Sequence, residues 1–506
     1  MRRLWSRCRP AVPPLLNRRD ALRLLRGAAV VASGRLTAYA GATEVSPLPF
    51  DFPSGLAASG RNVFAHWHFF PISFDNRRAS DDYFGREFLS ADGQDEQPRP
   101  FGPYALERPM PRPPRAGPDW LIDDLEQDVR WAGAIGIDAF VFNIIEIDTT
   151  SDLWLLPKML TAAGRVGGNF RVIPSLDTSI LKDQDIDDVA TALKTIGRHP
   201  MWFRAPDGKL LLGAFMAEAW PTDKWRRLFA VLAKADMDVQ FFPTFLNVRS
   251  VGENYIALGG VISEWGGDFL AAVPAVQAAA ADIKRPGRNW CAPVWPQDVR
   301  PKDGLYTEAG NSRLFRSGWQ SAIDSGADAV QIITWNDYSE GSEIRPSTGI
   351  QYSFYDLAAF FIAWFKTGRP PKIIRDVLYY FHRAEPVHGA RSSNRQQRDF
   401  TLVGGGGPAD DVELLGFLAE PGELEIELNG TTTRKEVPAG VSALYVPLAL
   451  GQPLFRLKRD KRTVIEFRSA FAISGPRDYQ DLLYRGGSST RRAIGQNWQE
   501  LRGETP

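Results

Sequence analysis

Two carboxylates three residues apart, Asp337 and Glu340, are the clearest candidates for chemistry in this chain. They follow an apolar, β-branched run that predicts a buried strand, and Trp335 and Tyr338 stand beside them. Paired carboxyl groups can hydrolyse a glycosidic bond, because one group protonates the departing oxygen while the other activates water or attacks the sugar. The motif therefore indicates glycoside hydrolysis at the end of a strand.

Other reaction classes lack the residues that they need. The sequence has no Gly-x-Ser-x-Gly motif, no phosphate-binding loop and no dinucleotide fingerprint. Its five histidines are too scattered for a zinc signature, although His66 and His68 would share one face of a strand. Cys291 lies in an apolar run and is expected to be an inert core residue. We therefore predict no metal site.

Eight short apolar runs, separated by amphipathic helical stretches, must position these carboxylates. Strand followed by helix, eight times over about 300 residues, is typical of a (β/α)₈ TIM barrel, an α/β fold whose parallel strands are buried on both faces. A doubly wound open sheet is the alternative, but it usually has a glycine-rich phosphate turn. The predicted barrel strands are residues 63–66, 139–143, 171–176, 210–215, 239–244, 260–263, 291–294 and 329–334.

Residues that follow the barrel strands are the candidates for substrate contact, because a TIM barrel carries its active site at the carboxyl ends of the strands. These residues are acids, amides, histidines and aromatic rings, and carbohydrates are bound by such a set. A structural role stays open for each: a ring can be barrel packing, and Asp177 or Glu264 can be an ion-pair partner. The candidate substrate-binding residues are His66, Trp67, Asn143, Asp177, Glu264, Trp265, Trp295, Trp335, Asn336 and Tyr338.

The chain is long enough for two domains, and its hydrophobic pattern changes from helical to alternating near residue 409. Short strands separated by turns such as Asn429-Gly430 predict a small antiparallel β-sandwich-like domain, which would stabilise the barrel or bind glucan. The long connection after the first strand would cover substrate or be a disordered insertion. We assign residues 1–40 to an export signal, 41–60 to a linker, 61–382 to the catalytic barrel, 383–408 to a linker, 409–475 to the β-domain and 476–506 to a tail.

The first 40 residues resemble an export signal of the twin-arginine type. Arg18 and Arg19 precede a short apolar run, which is too short to span a bilayer, and residues 38–40 form a small-x-small cleavage pattern. Cleavage there would leave one cysteine and a net charge of about −8. We therefore predict an exported, periplasmic or extracellular monomer with a polysaccharide substrate and no basic face for nucleic acid or a membrane.

The WNDYSE motif at residues 335–340 strongly resembles the WNDYGE motif of glycoside hydrolase family 71, the endo-α-1,3-glucanases also called mutanases. Further similarity lies in GIDAFVFNI at residues 136–144 and EVPAGV at residues 436–441. The resemblance implies hydrolysis of α-1,3-glucan with inversion, without a cofactor, and with Asp337 and Glu340 as the catalytic pair. Glu340 would be the general acid and Asp337 the base that orients water, although the two roles could be exchanged.

The resemblance changes after Glu340, where family 71 usually continues with Ser-His. Here residues 341–346 read GSEIRP, which is similar to the Glu-Gly-x-x-Ile-x-Pro ending of family 99 endo-α-mannanases. Two alternatives therefore stay open: a family 99-type hydrolase of α-mannan or another polysaccharide, and a carbohydrate-binding barrel without turnover. In an inverting enzyme the two carboxyl groups would be about 6.5–9.5 Å apart, and in a retaining enzyme about 5 Å apart.

Overall fold

The structure is a computed structural model, and it describes residues 48–77, 82–91, 100–151, 154–388 and 395–491. The predicted export signal lies outside the described residues, and so does the end of the predicted tail from residue 492. All described residues belong to one folded unit, in which the barrel and the β-domain share packing contacts.

A closed barrel of eight parallel strands forms the larger part of the structure. Its strands are β1 (Asn62–Trp67), β2 (Ala139–Ile144), β3 (Arg171–Asp177), β4 (Leu210–Phe215), β5 (Val239–Phe245), β6 (Val261–Glu264), β7 (Asn289–Val294) and β10 (Ala329–Ile332). β1 pairs with β2 on one side and with β10 on the other, and these pairings close the sheet. Each predicted apolar run is a barrel strand, so the TIM-barrel prediction is confirmed.

Helices follow the barrel strands and cover the outside of the barrel. They are α1 (Trp120–Ala134), α2 (Leu156–Val166), α3 (Ile186–Ile196), α4 (Thr222–Ala233), α5 (Glu253–Ile256), α6 (Val273–Ile283), α7 (Arg313–Asp324) and α8 (Ser353–Thr367). α3 begins where the Asp185 side chain accepts a hydrogen bond from the Asp187 N–H at 2.7 Å. It buries Ile186, Val189 and Leu193, which the helical period of 3.6 residues places on one face.

Two four-stranded sheets of antiparallel pairs form the β-domain, and this confirms the predicted β-sandwich-like fold. The strands are β11 (Val377–Arg383), β13 (Asp411–Leu418), β14 (Gly422–Leu428), β15 (Thr431–Val437), β16 (Gly440–Pro447), β17 (Leu454–Arg459), β18 (Arg462–Arg468) and β19 (Tyr484–Ser488). One sheet has the order β16-β13-β11-β19 and the other β15-β14-β17-β18. Apolar side chains from both, including Leu378, Leu414, Leu424 and Phe455, form the core between them.

The boundaries of the β-domain differ from the sequence assignment at both ends. β11 lies in the segment assigned to the barrel, and β19 lies in the segment assigned to the tail. β11 is buried along its whole length because one face packs in the sandwich and the other on α8, so it shows no polar alternation. At that contact the Tyr379 hydroxyl donates to the Asp356 carboxylate at 3.1 Å, and the Phe360 and Phe417 rings lie 5.1 Å apart.

A small third sheet stands at the mouth of the barrel. Its strands are β8 (Val299–Arg300), β9 (Leu305–Thr307) and β12 (Thr401–Val403). β8 and β9 form an antiparallel hairpin between β7 and α7, and β12, from the segment assigned to the linker, pairs with β9 in parallel. A segment of the β-domain, between β11 and β13, therefore helps to fix the loop that follows β7.

The described parts of the long connection after β1 pack against the barrel mouth. Phe70, Phe74 and Phe88 lie in a cluster of aromatic rings, with the Phe74 and Phe88 centroids 5.5 Å apart. The backbone of this connection bonds to the loop after β10, because Thr348 N–H donates to Arg108 O at 2.9 Å. These parts of the connection therefore support the loop that carries Asp337 and Glu340.

The buried histidine of β11 predicts a loss of stability in acid. His382 Nδ1 lies 2.8 Å from Arg383 O, and Nε2 lies 2.8 Å from Ser469 Oγ, so both nitrogens are used by the neutral ring. Burial lowers the pKa of His382 to about 4. Because the unfolded chain binds a proton near pH 6.5, stability is full above that pH and falls as the pH drops toward 4.

We expect this histidine to remove about 2 kcal/mol of stability between pH 7 and pH 5. The measurement is urea unfolding of the wild type and His382→Gln at both pH values. Glutamine does not titrate, so the variant should lose less stability than the wild type over this interval, whatever its stability at pH 7. Equal losses in the two proteins would contradict the prediction.

Candidate active site

The loop after β10 folds back on itself and fixes the two candidate carboxylates at the barrel mouth. Its outgoing and returning arms are joined where Arg345 N–H donates to Trp335 O at 2.9 Å. The Asn336 amide is fully used by backbone, because Oδ1 accepts from His68 N–H at 2.7 Å and Nδ2 donates to His68 O and Phe70 O. Asn336 therefore joins this loop to the end of β1 and has a structural role instead of the predicted contact with sugar.

Asp337 is buried, with one oxygen held by its own loop and the other directed toward a histidine. Its Oδ1 accepts hydrogen bonds from Ser339 N–H at 3.0 Å and Ser339 Oγ at 2.7 Å. Its Oδ2 lies 3.8 Å from His68 Nε2. The turn at Ser339 thus fixes the carboxyl plane and leaves Oδ2 directed toward the end of β1.

Glu340 faces two cations from the β8–β9 hairpin. Its Oε1 lies 2.8 Å from Lys302 Nζ, and its Oε2 lies 3.7 Å from Arg300 Nε. Burial opposes ionisation, but Lys302 and Arg300 outweigh burial and hold the pKa of Glu340 at about 2. The two cations therefore favour the ionised form of Glu340, which suits the exchanged assignment left open above, with Glu340 as the base.

A second polar group lies where β1, β2 and β3 end. Asn143 Nδ2 donates to Asp177 Oδ2 at 3.3 Å and lies 3.4 Å from His68 Nε2. Asp177 also accepts from Ser179 Oγ at 2.5 Å, and burial raises its pKa. His68 thus contacts both this group and Asp337, although the predicted site residues include His66 and not His68.

His66 lies inside the barrel and is neutral. Its Nδ1 is 3.3 Å from Gln331 Nε2, and burial, with the nearby His68, lowers the pKa of His66 to about 3. Its ring meets Trp265 edge to face, with the centroids 4.8 Å apart. His66 therefore forms the floor of the site under the aromatic wall of the barrel mouth.

Trp265 and Phe215 are half-buried aromatic rings at the mouth, with centroids 4.6 Å apart. Trp295 packs on Trp265 at 5.4 Å but is itself buried. Trp265 is thus the predicted tryptophan whose ring is partly open to solvent. Phe215, the last residue of β4, was not predicted, and its position at a strand end was the signal that could have identified it.

Three other aromatic residues that were predicted to contact sugar are wholly buried in the structure. Trp67 stacks on Phe142 at 4.8 Å, on the side of β1 that faces α1. Trp335 belongs to the same apolar core. The Tyr338 hydroxyl accepts a hydrogen bond from Arg345 Nη1 at 3.2 Å behind the loop. These three side chains support the loop that carries Asp337 and Glu340 from beneath.

Glu264 lies at the end of β6 as predicted, where its carboxylate has a structural partner. Its Oε2 accepts a hydrogen bond from Val248 N–H at 3.1 Å, which holds the short 3₁₀ turn Val248–Ser250. Burial raises the pKa of Glu264. Its hydrogen bond is to the backbone after β5 and not to the residues around Asp337 and Glu340, so the structural alternative fits it better.

Asp298 and Arg300 form a buried ion pair beside Glu340, and neither is among the predicted site residues. Arg300 Nε donates to Asp298 Oδ1 at 2.8 Å. Burial raises the pKa of Asp298 well above its ordinary range, although Arg300 opposes this effect. Asp298 binds the Arg300 guanidinium directly. Lys302, at 2.8 Å from Glu340, is nearer to that carboxylate than Arg300, at 3.7 Å.

The described residues contain neither a cluster of metal-ligating side chains nor a membrane-spanning helix. Within ranges 48–77, 82–91, 100–151, 154–388 and 395–491, no group of three or more His, Cys, Asp or Glu side chains could hold a metal ion. The helices in these same ranges all fall short of the length and apolar character needed to cross a membrane.

Comparison with known proteins gives one family match and several distant relatives. The model of glycosyl hydrolase family 71 matches residues 118–478. A mutanase of Penicillium rubens is 23% identical over 76% of this chain and 89% of its own length. A glucan endo-1,3-α-glucosidase of Schizosaccharomyces pombe is 22% identical over 72% of this chain and 92% of its own. A solved family 99 endo-α-mannosidase of Bacteroides thetaiotaomicron has a TM-score of 0.47 and 14% identity, covering 60% of this chain and 97% of that one.

Proposed function

Because the chain belongs to glycosyl hydrolase family 71, we propose that it cleaves α-1,3-glucan at internal bonds of the polymer. The observation that carries this proposal is the pair Asp337 and Glu340 on one loop at the carboxyl end of the barrel, beside the half-buried ring of Trp265. Two acids supply hydrolysis, and the ring supplies a face on which a sugar can stack. The names of the two fungal relatives support α-1,3-glucan as the substrate.

The proposed mechanism gives each acid one task. Asp337 donates a proton from Oδ2 to the departing glycosidic oxygen, and the bond from that oxygen to the anomeric carbon breaks. Glu340, ionised beside Lys302, accepts a proton from a water molecule whose oxygen bonds to the anomeric carbon from the opposite face. The configuration therefore inverts, and solvent returns both carboxyl groups to their starting states.

The departure from the family pattern after Glu340 does not argue against glucan, because the residues that differ lie beneath the site. Ser342, Glu343 and Arg345 are wholly buried, and so is Ile344. Ser342 N–H donates to Asp337 O at 3.2 Å, and Ile344 N–H donates to Thr334 O at 3.1 Å. Residues that face the core change how the loop is supported and do not contact the sugar.

The test is reducing-sugar release from α-1,3-glucan, α-1,4-glucan and α-mannan by the purified chain. We expect oligosaccharide products from α-1,3-glucan and a rate at least about 100-fold lower on the other polymers, because a misplaced hydroxyl leaves buried polar groups unpaired. Proton NMR of fresh product should show the β-anomer first. Release from α-mannan alone would contradict the substrate, and the α-anomer first would contradict inversion.

We also propose that the enzyme acts outside the cytoplasm. A polysaccharide is too large to cross a membrane unaided, and the Arg18-Arg19 pair with its short apolar run supports export of the enzyme. The fungal relative described as an ascus wall endo-1,3-α-glucanase, 22% identical over 67% of this chain, supports the same location.

A further inference from the structure

The turn of the β8–β9 hairpin is held from three sides against the catalytic loop. Val299 N–H donates to Glu340 O at 2.7 Å, which ties the hairpin to that loop. Thr307 N–H donates to Asp298 O at 2.9 Å, and Thr401 N–H donates to Gly304 O at 2.9 Å. The turn that carries Lys302 is thus a braced part of the barrel mouth and not a free surface loop.

Lys302 contacts both sides of the carboxylate pair. Its ammonium group lies 2.8 Å from Glu340 Oε1 and 3.2 Å from Ser339 Oγ. The same Ser339 hydroxyl lies 2.7 Å from Asp337 Oδ1. One side chain from the hairpin therefore bonds directly to one acid and, through a serine hydroxyl, reaches the other.

We propose that Lys302 is a positioning residue of the hydrolytic reaction, which holds Glu340 as the ionised base and orients Asp337 through Ser339. The inference rests on the proposed function, since it assigns a role within that reaction. An ammonium group has three N–H donors and no acceptor, so it can hold a carboxylate and a hydroxyl together. A charge 2.8 Å away in a largely buried site acts strongly, because little water screens it.

Charged and titratable groups face Glu340 from every element around it. They are Lys302 and Arg300 on the hairpin, Asp298 after β7, Asp268 after β6, His66 and His68 at the end of β1, and Asp337 on its own loop. Asp298 and Asp268 oppose the ionisation of Glu340 and attract Arg300. Removal of Lys302 therefore leaves Glu340 among carboxylates with one cation that is already engaged by Asp298.

The test compares Lys302→Met and Lys302→Arg by the pH profile of kcat/KM, which reports ionisations of the free enzyme. In Lys302→Met the acidic limb should move up by about 1 to 3 pH units, because an opposite charge at this range lowers a carboxyl pKa by that amount. Lys302→Arg keeps the charge and should keep the acidic limb near its wild-type position. Lys458→Met, which removes a lysine 2.5 Å from Glu425 in the β-domain, is the matched control and should leave the profile unchanged.

A second readout separates this inference from the proposed function. The ¹³C NMR titration of the Glu340 side-chain carboxyl, assigned with Glu340→Gln, should show the same upward shift in Lys302→Met even with no substrate present. A wild type without glucanase activity would overturn the proposed function. Three results with Lys302→Met would overturn the inference. The Glu340 titration could stay unmoved, the rate could fall uniformly with the acidic limb unmoved, or the alkaline limb could shift instead of the acidic one.

Discussion

Asp337→Asn and Glu340→Gln are each expected to lower kcat on α-1,3-glucan by about 10²- to 10⁴-fold, the range that general acid–base catalysis contributes. Neither amide can donate a carboxylic proton or accept one from water. Both substitutions are close in shape to the native side chains, so the fold should be retained, and the unfolding midpoint of each variant checks this. The measurement is initial-rate kinetics at the pH optimum.

The leaving group distinguishes the two roles. A 4-nitrophenyl glycoside of an α-1,3-gluco-oligosaccharide needs little protonation as it departs, so Asp337→Asn should recover much of its lost rate on this substrate. Glu340→Gln should recover little, because water still needs a base. Glu146→Gln, after β2, is the matched control and should stay within about twofold of wild type, since Glu146 Oε1 accepts hydrogen bonds from the Ile147 and Asp148 N–H groups. Full activity in either acid variant would contradict the site assignment.

The barrel could be predicted because each of its strands is a short apolar run that is buried on both faces, and a helical stretch follows each run. Consecutive runs in the sequence are therefore neighbouring strands of the barrel. β11 and β19 were misassigned for a related reason. β11 is apolar on both faces, like a barrel strand, because it packs between α8 and the sandwich. β19 has the sequence Tyr-Arg-Gly-Gly-Ser, which has no strand pattern of its own, and it is a strand because of its long-range pairing with β11.

The candidate site was predicted in part, and alternation along β1 explains one of the errors. Successive strand residues point to opposite faces, so His66 and His68 face the barrel interior and the mouth while Trp67 faces α1. The two-residue period could have separated the tryptophan from the histidines. Arg300 and Lys302 could not be found this way. They lie in a polar, proline-containing turn, and only the folded chain brings that turn to Glu340.

The loop that carries the acids depends on a buried ion pair behind it. Arg345 Nε lies 2.8 Å from Asp128 Oδ1, and both side chains are about 1% exposed. Asp128 also accepts a hydrogen bond from Trp67 Nε1 at 3.1 Å, and Arg345 donates to the Tyr338 hydroxyl. One pair thus joins α1, β1 and the catalytic loop. Burial raises the pKa of Asp128 to about 6 even with Arg345 beside it.

Arg345→Met is therefore expected to cost about 3–5 kcal/mol of stability at pH 8, because it leaves the Asp128 carboxylate buried without its cation. Because burial raises the pKa of the Asp128 carboxyl, its ionisation penalises the folded state only as the pH rises above the carboxyl pKa of the unfolded chain. The stability cost of Arg345→Met should therefore be smaller at pH 5 than at pH 8. Urea unfolding at both pH values measures it. Arg345→Met with Asp128→Asn should be more stable than Arg345→Met alone, since the orphaned charge is gone.

The matched control is Arg226→Met, which removes an arginine 2.9 Å from Asp223 on the exposed face of α4. Water already solvates both members of that pair, so the loss should stay within about 1 kcal/mol. If Arg345→Met were as mild as this control, or if its cost were the same at pH 5 and pH 8, the ion pair would not be what holds the loop. If the prediction holds, Arg345→Met should also lose glucanase activity. Trp335 and Tyr338 pack on this pair, and they precede and follow Asp337 in the chain.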